Sequence, residues 1–207
     1  MDATGAIVTL IFVITIISAS TGGKVGVPGF GGGESKVPIT ASLNVQEIPD
    51  GNYYAIESDN SETKIEKFIL KYNKNLSYWD ASMMSSSMVR YGEMYNVNPK
   101  LVCALMARES AFNARSVSSS GAMGLGQLLP ATAQALKVNN AFDPDENIRG
   151  TTRYVRFLLD KWKMQPQQVP LALASYAEGH NAISKNGGYS SKTKGYVEDI
   201  IRIYWKI

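Results

Sequence analysis

Residues 98–133 read NPKLVCALMARESAFNARSVSSSGAMGLGQLLPATA. Asn98 before Pro99 marks a helix start: the Asn side chain can accept from an early N–H, and proline at the first helical position loses no bond. Leu101, Val102, Leu105 and Met106 then share one stripe, predicting a helix from Pro99 to about Glu109. Glu109 stands four residues after Leu105 and three after Met106, so it prolongs the apolar stripe. A carboxyl group placed there loses hydration, which raises its pKa towards the range useful to a general acid near neutrality. A glutamate in a last helical turn can also rotate out to solvent, and position alone leaves both readings open.

The second half of the stretch is of another kind. Gly121, Gly124 and Gly126 fall within six residues, which no helix interior tolerates. They predict a turn where backbone approaches a ligand closely, feeding Gln127 and then Pro130 at a new helix start. The order is GxxGxG, without a preceding strand or a surrounding βαβ unit, so a dinucleotide loop is excluded.

Working outward, residues 62–74 place Ile65, Phe68, Ile69 and Tyr72 at helical spacing. Residues 78–95 do the same with Trp79, Met83, Met84, Met88, Tyr91 and Tyr95, a stripe read as core. Further helices are expected from Glu146 to Lys163, Pro166 to Tyr176 and Thr193 to Trp205, with Ile148, Val155, Leu158, Leu159 and Trp162 on one face of the first. No period-2 segment appears after Ser61. The expected class is all-α, a compact orthogonal packing of six or seven helices, since the lengths differ and heptads are absent.

The N-terminal part differs. Residues 3–23 carry no charge and include AIVTLIFVITII at 6–17, just long enough for a bilayer span of roughly 20 residues. No basic side chain precedes this run, which favours an uncleaved anchor over a signal peptide cut near Ser18-Ala19-Ser20. Lys24 and Lys36 follow it, and the positive-inside tendency would then hold the C-terminal part in the cytoplasm. Residues 24–61, rich in Gly and Pro near their start, read as a flexible tether with a short strand around Tyr53–Ile56. The expected domains are an anchor at 1–23, a tether at 24–61 and a helical domain at 62–207.

Composition sets the outer bounds. The 207 residues are 44% hydrophobic and 19% charged, which excludes a disordered, collagen-like or multi-pass chain. One cysteine and one histidine exclude a disulfide framework and a zinc site made from them. The net charge of +3 conceals −4 over residues 1–60 and +7 over residues 61–207, so the helical domain is basic.

Four motifs now combine: Glu109-Ser110-Ala111-Phe112-Asn113, Gly121 to Ala133, Ser175-Tyr176-Ala177-Glu178-Gly179, and Gly195-Tyr196-Val197. In this order and spacing the chain, over about residues 78–205, resembles the catalytic domain of soluble lytic transglycosylases, relatives of goose-type lysozyme that cleave peptidoglycan. The resemblance implies a lysozyme-like helical fold and one catalytic acid, at Glu109. It implies that Ser110, Ser118, Met123, Gly124, Gln127, Tyr176 and Tyr196 bind substrate or flank it, with Tyr196 helping to position the carboxyl. It also implies cleavage of the bond between N-acetylmuramic acid and N-acetylglucosamine with a 1,6-anhydro product, and no metal or organic cofactor.

The chain departs from the family pattern at three places. Gly126 stands for a methionine and removes an apolar wall, Ala177 stands for an asparagine, and Glu178 stands for a small residue. Glu178 reads as a solvated charge at a helix end, Arg149, Arg153 and Arg156 as a solvated row, Cys103 as a small buried residue and His180 as a loop residue. No nucleic-acid motif accompanies the arginine row, so nucleic acid is not an expected partner. The expected partners are glycan strands of the wall, a membrane through residues 3–23, and an envelope-spanning or virion assembly. Catalysis is thus expected on the periplasmic side of a cell membrane or at a virion membrane. The competing functions are a non-catalytic wall-binding protein and a true hydrolase.

Overall fold

A computed structural model of the chain describes residues 36–40, 43, 46, 48 and 60–207. The expected anchor at 3–23 and the short strand at Tyr53–Ile56 lie outside the described residues. Among the described residues no helix is long and apolar enough to cross a membrane.

Among the described residues eight helices and one two-stranded sheet follow in the order β1 (Lys36–Pro38), α1 (Ser61–Tyr72), α2 (Tyr78–Tyr95), α3 (Pro99–Ser110), α4 (Pro130–Ala135), α5 (Pro144–Lys161), α6 (Gln168–Glu178), α7 (His180–Asn186), β2 (Gly188–Ser190) and α8 (Ser191–Tyr204). Side-chain caps fix several starts. Ser77 accepts from the Asp80 N–H, Asn98 from Lys100, Asp143 from Glu146 and Ser190 from Thr193. Asp143 followed by Pro144 starts α5 two residues before the expected Glu146, and α6 likewise runs two residues beyond Tyr176.

Helix α3 is the centre of the domain. Leu101 through Ala107 are all buried, so the helix is wrapped on every side, by α1, α2, α5 and α8. Its expected one-sided stripe is therefore only part of its apolar surface. In α2 the buried face runs through Ala81, Met84, Ser85, Met88 and Tyr91. Trp79 is not on it and is 76% exposed. At 3.6 residues per turn it stands about 180° from Met88, which is why the stripe drawn through both does not hold.

Two expectations about strands and loops are corrected. Lys36–Pro38, inside the stretch read as tether, pair antiparallel with Gly188–Ser190, in the register Lys36↔Ser190, Val37↔Tyr189 and Pro38↔Gly188. A Cβ on Gly188 would stand 2.1 Å from the Val37 carbonyl oxygen, so this close pairing requires glycine. His180 is no loop residue: it opens α7, is buried, and meets the Phe157 ring edge-on at 5.5 Å. Burial, then the charge of Lys161, holds its pKa below the ordinary histidine value.

Candidate active site

Glu109 is the penultimate residue of α3, half-buried, where the helix dipole already disfavours a negative charge. The chain turns away at once: Ala111 and Phe112 both adopt left-handed backbone, with φ of 50° and 62°. Two such residues in succession are strained. They are held by the fully buried Phe112 side chain, packed edge-on against Phe68 and Tyr72, and by Asn73 donating to the Ala111 carbonyl at 2.9 Å. The helix end is thereby pinned, and Glu109 with it.

The Tyr196 hydroxyl, carried on α8, donates to Oε1 of Glu109. Burial lifts the Glu109 pKa above the ordinary carboxylate value, while the Tyr196 hydrogen bond and the nearby Arg108 charge pull it back. Glu109 is raised on balance. Tyr196 is itself pushed well above the usual tyrosine range by burial and by the Glu109 charge, so it remains a donor. Arg108 completes the cluster, its guanidinium 5.4 Å from the centre of the Tyr196 ring and its Nε 3.5 Å from Asp199.

The glycine segment forms a small, heavily braced loop. Met123 and Leu128 exchange backbone hydrogen bonds at 2.9 and 3.0 Å, and Gly124 donates to the Ser116 carbonyl at 2.9 Å. Gln127, with φ of 51°, turns its amide inward and donates to the carbonyls of Ser116 and Gly124 at 3.1 and 2.9 Å. Ser110 ties the loop to α3 by donating to the Leu125 carbonyl at 2.8 Å. Ser118 accepts from the Ala122 N–H at 3.0 Å and faces the Ser120 hydroxyl at 2.9 Å. Gly124 itself is buried against the Ala141 carbonyl and Asn147, where a Cβ would stand 2.0 Å from that oxygen. Its φ of 75° adds a second reason for glycine there.

Asn147, in the first half of α5, escaped the sequence reading. It is fully buried and takes hold of three backbone groups: its Oδ1 accepts from Gly126 N–H at 2.8 Å, and its Nδ2 donates to the carbonyls of Ala141 and Met123 at 2.8 and 3.2 Å. Thr151, one turn on and also buried, donates to the same Oδ1 at 3.4 Å. A polar pair four residues apart on the face of Ile148 and Val155 is the signal that reveals them. Thr151 also explains Gly126, since a Cβ at 126 would stand 2.1 Å from its Oγ1.

Tyr176 ties α6 to the glycine loop. Its hydroxyl donates to the Gly126 carbonyl at 2.6 Å and its ring packs on Tyr154 at 5.4 Å. Burial first, then the negative charge of Glu109, pushes its pKa well above the tyrosine range, which places Tyr176 in the electrostatic neighbourhood of that carboxyl. Ala177 is exposed. Glu178 is not simply solvated: its Oε1 accepts from the Ser190 N–H at 3.0 Å and the Ser190 hydroxyl at 2.8 Å. The forces on the Glu109 charge are burial, Tyr196 and Arg108, and Glu178 is not among them. The arginine row is also engaged: Arg149 donates to the Lys137 carbonyl at 3.0 Å and Arg156 to the Asn96 carbonyl at 2.9 Å. The Cys103 thiol is fully buried, and burial pushes its pKa up, away from use as a nucleophile.

The Transglycosylase SLT domain family matches residues 86–198. The chain is 36% identical over 127 residues to the transglycosylase of Enterobacteria phage PRD1, covering 61% of this chain and 43% of that one. It is 31% identical over 106 residues to the membrane-bound lytic murein transglycosylase F of Pectobacterium atrosepticum, covering 48% of this chain and 21% of that one. The chain thus spans less than half the length of these relatives. The solved 70 kDa soluble lytic transglycosylase of Escherichia coli has the same fold over 73% of this chain and 31% of its own, with a TM-score of 0.53 at 17% identity. Lytic transglycosylase Slt of Pseudomonas aeruginosa gives 0.52 at 21% identity, over 57% of this chain and 23% of its own. The matched segment runs from within α2 into α8 and carries Glu109, Gln127, Tyr176 and Tyr196; the chain belongs to the SLT transglycosylase domain family.

Proposed function

We propose that the chain is a peptidoglycan lytic transglycosylase, with Glu109 acting in turn as acid and base. The observation that carries the reading is the half-buried Glu109, raised in pKa and fixed through Oε1 by Tyr196. That bond leaves Oε2 to carry the proton. Glu109 gives it to the oxygen joining N-acetylmuramic acid to N-acetylglucosamine, and the C1–O bond breaks. Positive charge on the ring is shared with the muramyl acetamido group. The Glu109 carboxylate then takes the proton of the 6-hydroxyl as that oxygen bonds to C1, which closes the anhydro ring and returns Glu109 to its protonated form. No water is consumed. Ordinary glycosidases divide this work between two carboxylates. Here the groups acting on the Glu109 charge are a phenol and a guanidinium, which suits a mechanism whose nucleophile belongs to the substrate. Met123, Gln127, Ser118 and Tyr176 would border the sugar rings, with Ser110 and Gly124 shaping the loop beneath.

The test is incubation of the full chain with isolated murein, followed by mass analysis of the products. Anhydromuropeptides are expected, and reducing ends would identify a lysozyme-like hydrolase instead. Full activity in Glu109→Gln would sink the assignment.

The wider setting is part of the same proposal. Residues 3–23 serve as a membrane anchor, supported by their length and lack of charge. The phage origin of the PRD1 relative supports a phage setting, in which opening the wall locally would serve entry. Accessibility of a tag at either terminus in spheroplasts reports the topology.

A further inference from the structure

Trp79 and the groove it borders have no part in the site above. The groove, of about 460 Å³, runs along the outer face of α2, past Trp79, Ser82, Met83 and Ser86, to Arg90 and Asp145. These α2 positions recur at helical spacing over eleven residues, about 16 Å at 1.5 Å per residue. Trp79 is 76% exposed at one end, next to Tyr78 at 68%. The other end is rigid. Asp145 accepts from the hydroxyls of Ser87 and Tyr91 at 2.7 Å each and from Arg90, leaving that guanidinium fixed and half in solvent. Between the two ends the groove presents unspent polar groups. The Glu62 carboxylate and the hydroxyls of Ser82 and Ser86 make no side-chain hydrogen bond among the described residues.

We propose that this groove is a second binding site for a saccharide strand, separate from the cleft at Glu109. An exposed indole offers a flat apolar face to the C–H face of a sugar ring. The neighbouring hydroxyls and carboxylate match ring hydroxyl and acetamido groups, and Arg90 matches anionic substituents on the strand. A mixed wall of this kind fits a polar polymer better than an apolar partner helix. The first turn of α5 borders both places: Asp145 faces the groove, while Asn147, two residues on and therefore on the other side of the helix, holds the glycine loop. One strand, or two neighbouring strands of the wall, can thus be held beside the cleft as well as in it. The identity of the saccharide as wall glycan rests on the function proposed above.

The experiment measures binding apart from turnover. The full chain carrying Glu109→Gln is co-sedimented with isolated murein sacculi, with and without Trp79→Ala. The expected result is about a tenfold loss of affinity with Trp79→Ala, the effect of removing one anchoring aromatic. Trp79→Phe should recover most of it. In the chain with Glu109 intact, Trp79→Ala should leave cleavage of short soluble glycans unchanged and slow cleavage of sacculi. Equal binding with and without Trp79, or no binding by the Glu109→Gln chain at all, overturns the groove while leaving the catalytic reading to its own product analysis. Loss of binding to phospholipid vesicles in place of sacculi would also overturn it. Trp79-dependent binding by a chain that releases no anhydromuropeptide would instead remove the catalytic reading and leave the groove standing.

Discussion

Tyr196 reaches Glu109 across 87 residues of sequence and donates to its Oε1, so the last helix of the domain meets the end of the central α3 at one carboxyl. The bond favours the ionised carboxyl, opposing burial. In Tyr196→Phe the Glu109 pKa therefore rises further. The alkaline limb of the kcat/KM profile on murein fragments should move to higher pH, since the acid stays protonated longer. Turnover should fall by about ten- to a hundredfold, because the carboxyl loses its fixed orientation. An unmoved alkaline limb would show that Tyr196 does not act on the titrating group.

Glu109 also has a consequence for stability. A carboxyl whose folded pKa is raised contributes fully below its unfolded value, and that contribution is lost as pH rises through the folded one. Near neutrality the ionised, partly buried group therefore works against folding. Glu109→Gln should raise Tm at pH 7 by about 2–4 °C, with the gain shrinking towards pH 4. Calorimetry at the two pH values checks both the size and the trend. A gain that grew on acidification would contradict the raised pKa.

How far the sequence reached depends on how local each cause was. Caps and apolar spacing are local, so Pro99–Ser110 and Tyr78–Tyr95 were legible almost to the residue. Glu109 was legible because its place on the stripe could be weighed against the glycine segment that follows. Trp79 misled because its stripe was drawn across two faces of one helix, and only packing against α1, α3 and α5 decides which face is covered. The pairing of Lys36–Pro38 with Gly188–Ser190 was illegible for another reason: three-residue strands carry no periodicity, and their partners lie more than 140 residues apart. Asn147 drew no notice in the sequence because a polar residue in a first helical turn is ordinary. Its role depends on three backbone groups, two of them in a loop more than twenty residues away.

Those three groups make Asn147 the most sensitive support of the glycine loop. Asn147→Ala leaves the Gly126 N–H and the Ala141 and Met123 carbonyls without their partner, at a cost of about 2–4 kcal/mol. Chemical denaturation measures that loss. Because the loop also carries Gln127, turnover at a temperature where the variant is still folded should fall as well.

Gly126 and Thr151 form a coupled pair, for a Cβ at 126 would stand 2.1 Å from the Thr151 Oγ1. Gly126→Ala alone should destabilise by about 1–3 kcal/mol through overpacking. Thr151→Ala alone removes a weak hydrogen bond to Asn147 and some packing. Together the two changes should cost less than their sum, a coupling of about 1 kcal/mol measurable in a double-mutant cycle. Strict additivity would mean that the loop shifts away from α5 at no cost.

Glu178 provides a separate test of how α8, and with it Tyr196, is seated. Its carboxylate accepts two hydrogen bonds from Ser190, the residue that caps α8. Burial pulls its pKa up, but the hydrogen bonds from Thr193 and Ser190 outweigh burial and hold it below the ordinary value. A depressed carboxyl adds stability above its unfolded pKa, and the contribution is lost as pH falls through the folded one. Glu178→Ala should therefore cost about 1–2 kcal/mol at pH 7, and less in acid, once the unsubstituted carboxyl is protonated. Glu178→Gln retains an oxygen for Ser190 and should keep turnover near that of the unsubstituted chain. A collapse of turnover in Glu178→Gln, with stability preserved, would make Glu178 a second carboxylate of the reaction and would require a two-carboxylate mechanism in place of the one derived from Glu109 and Tyr196.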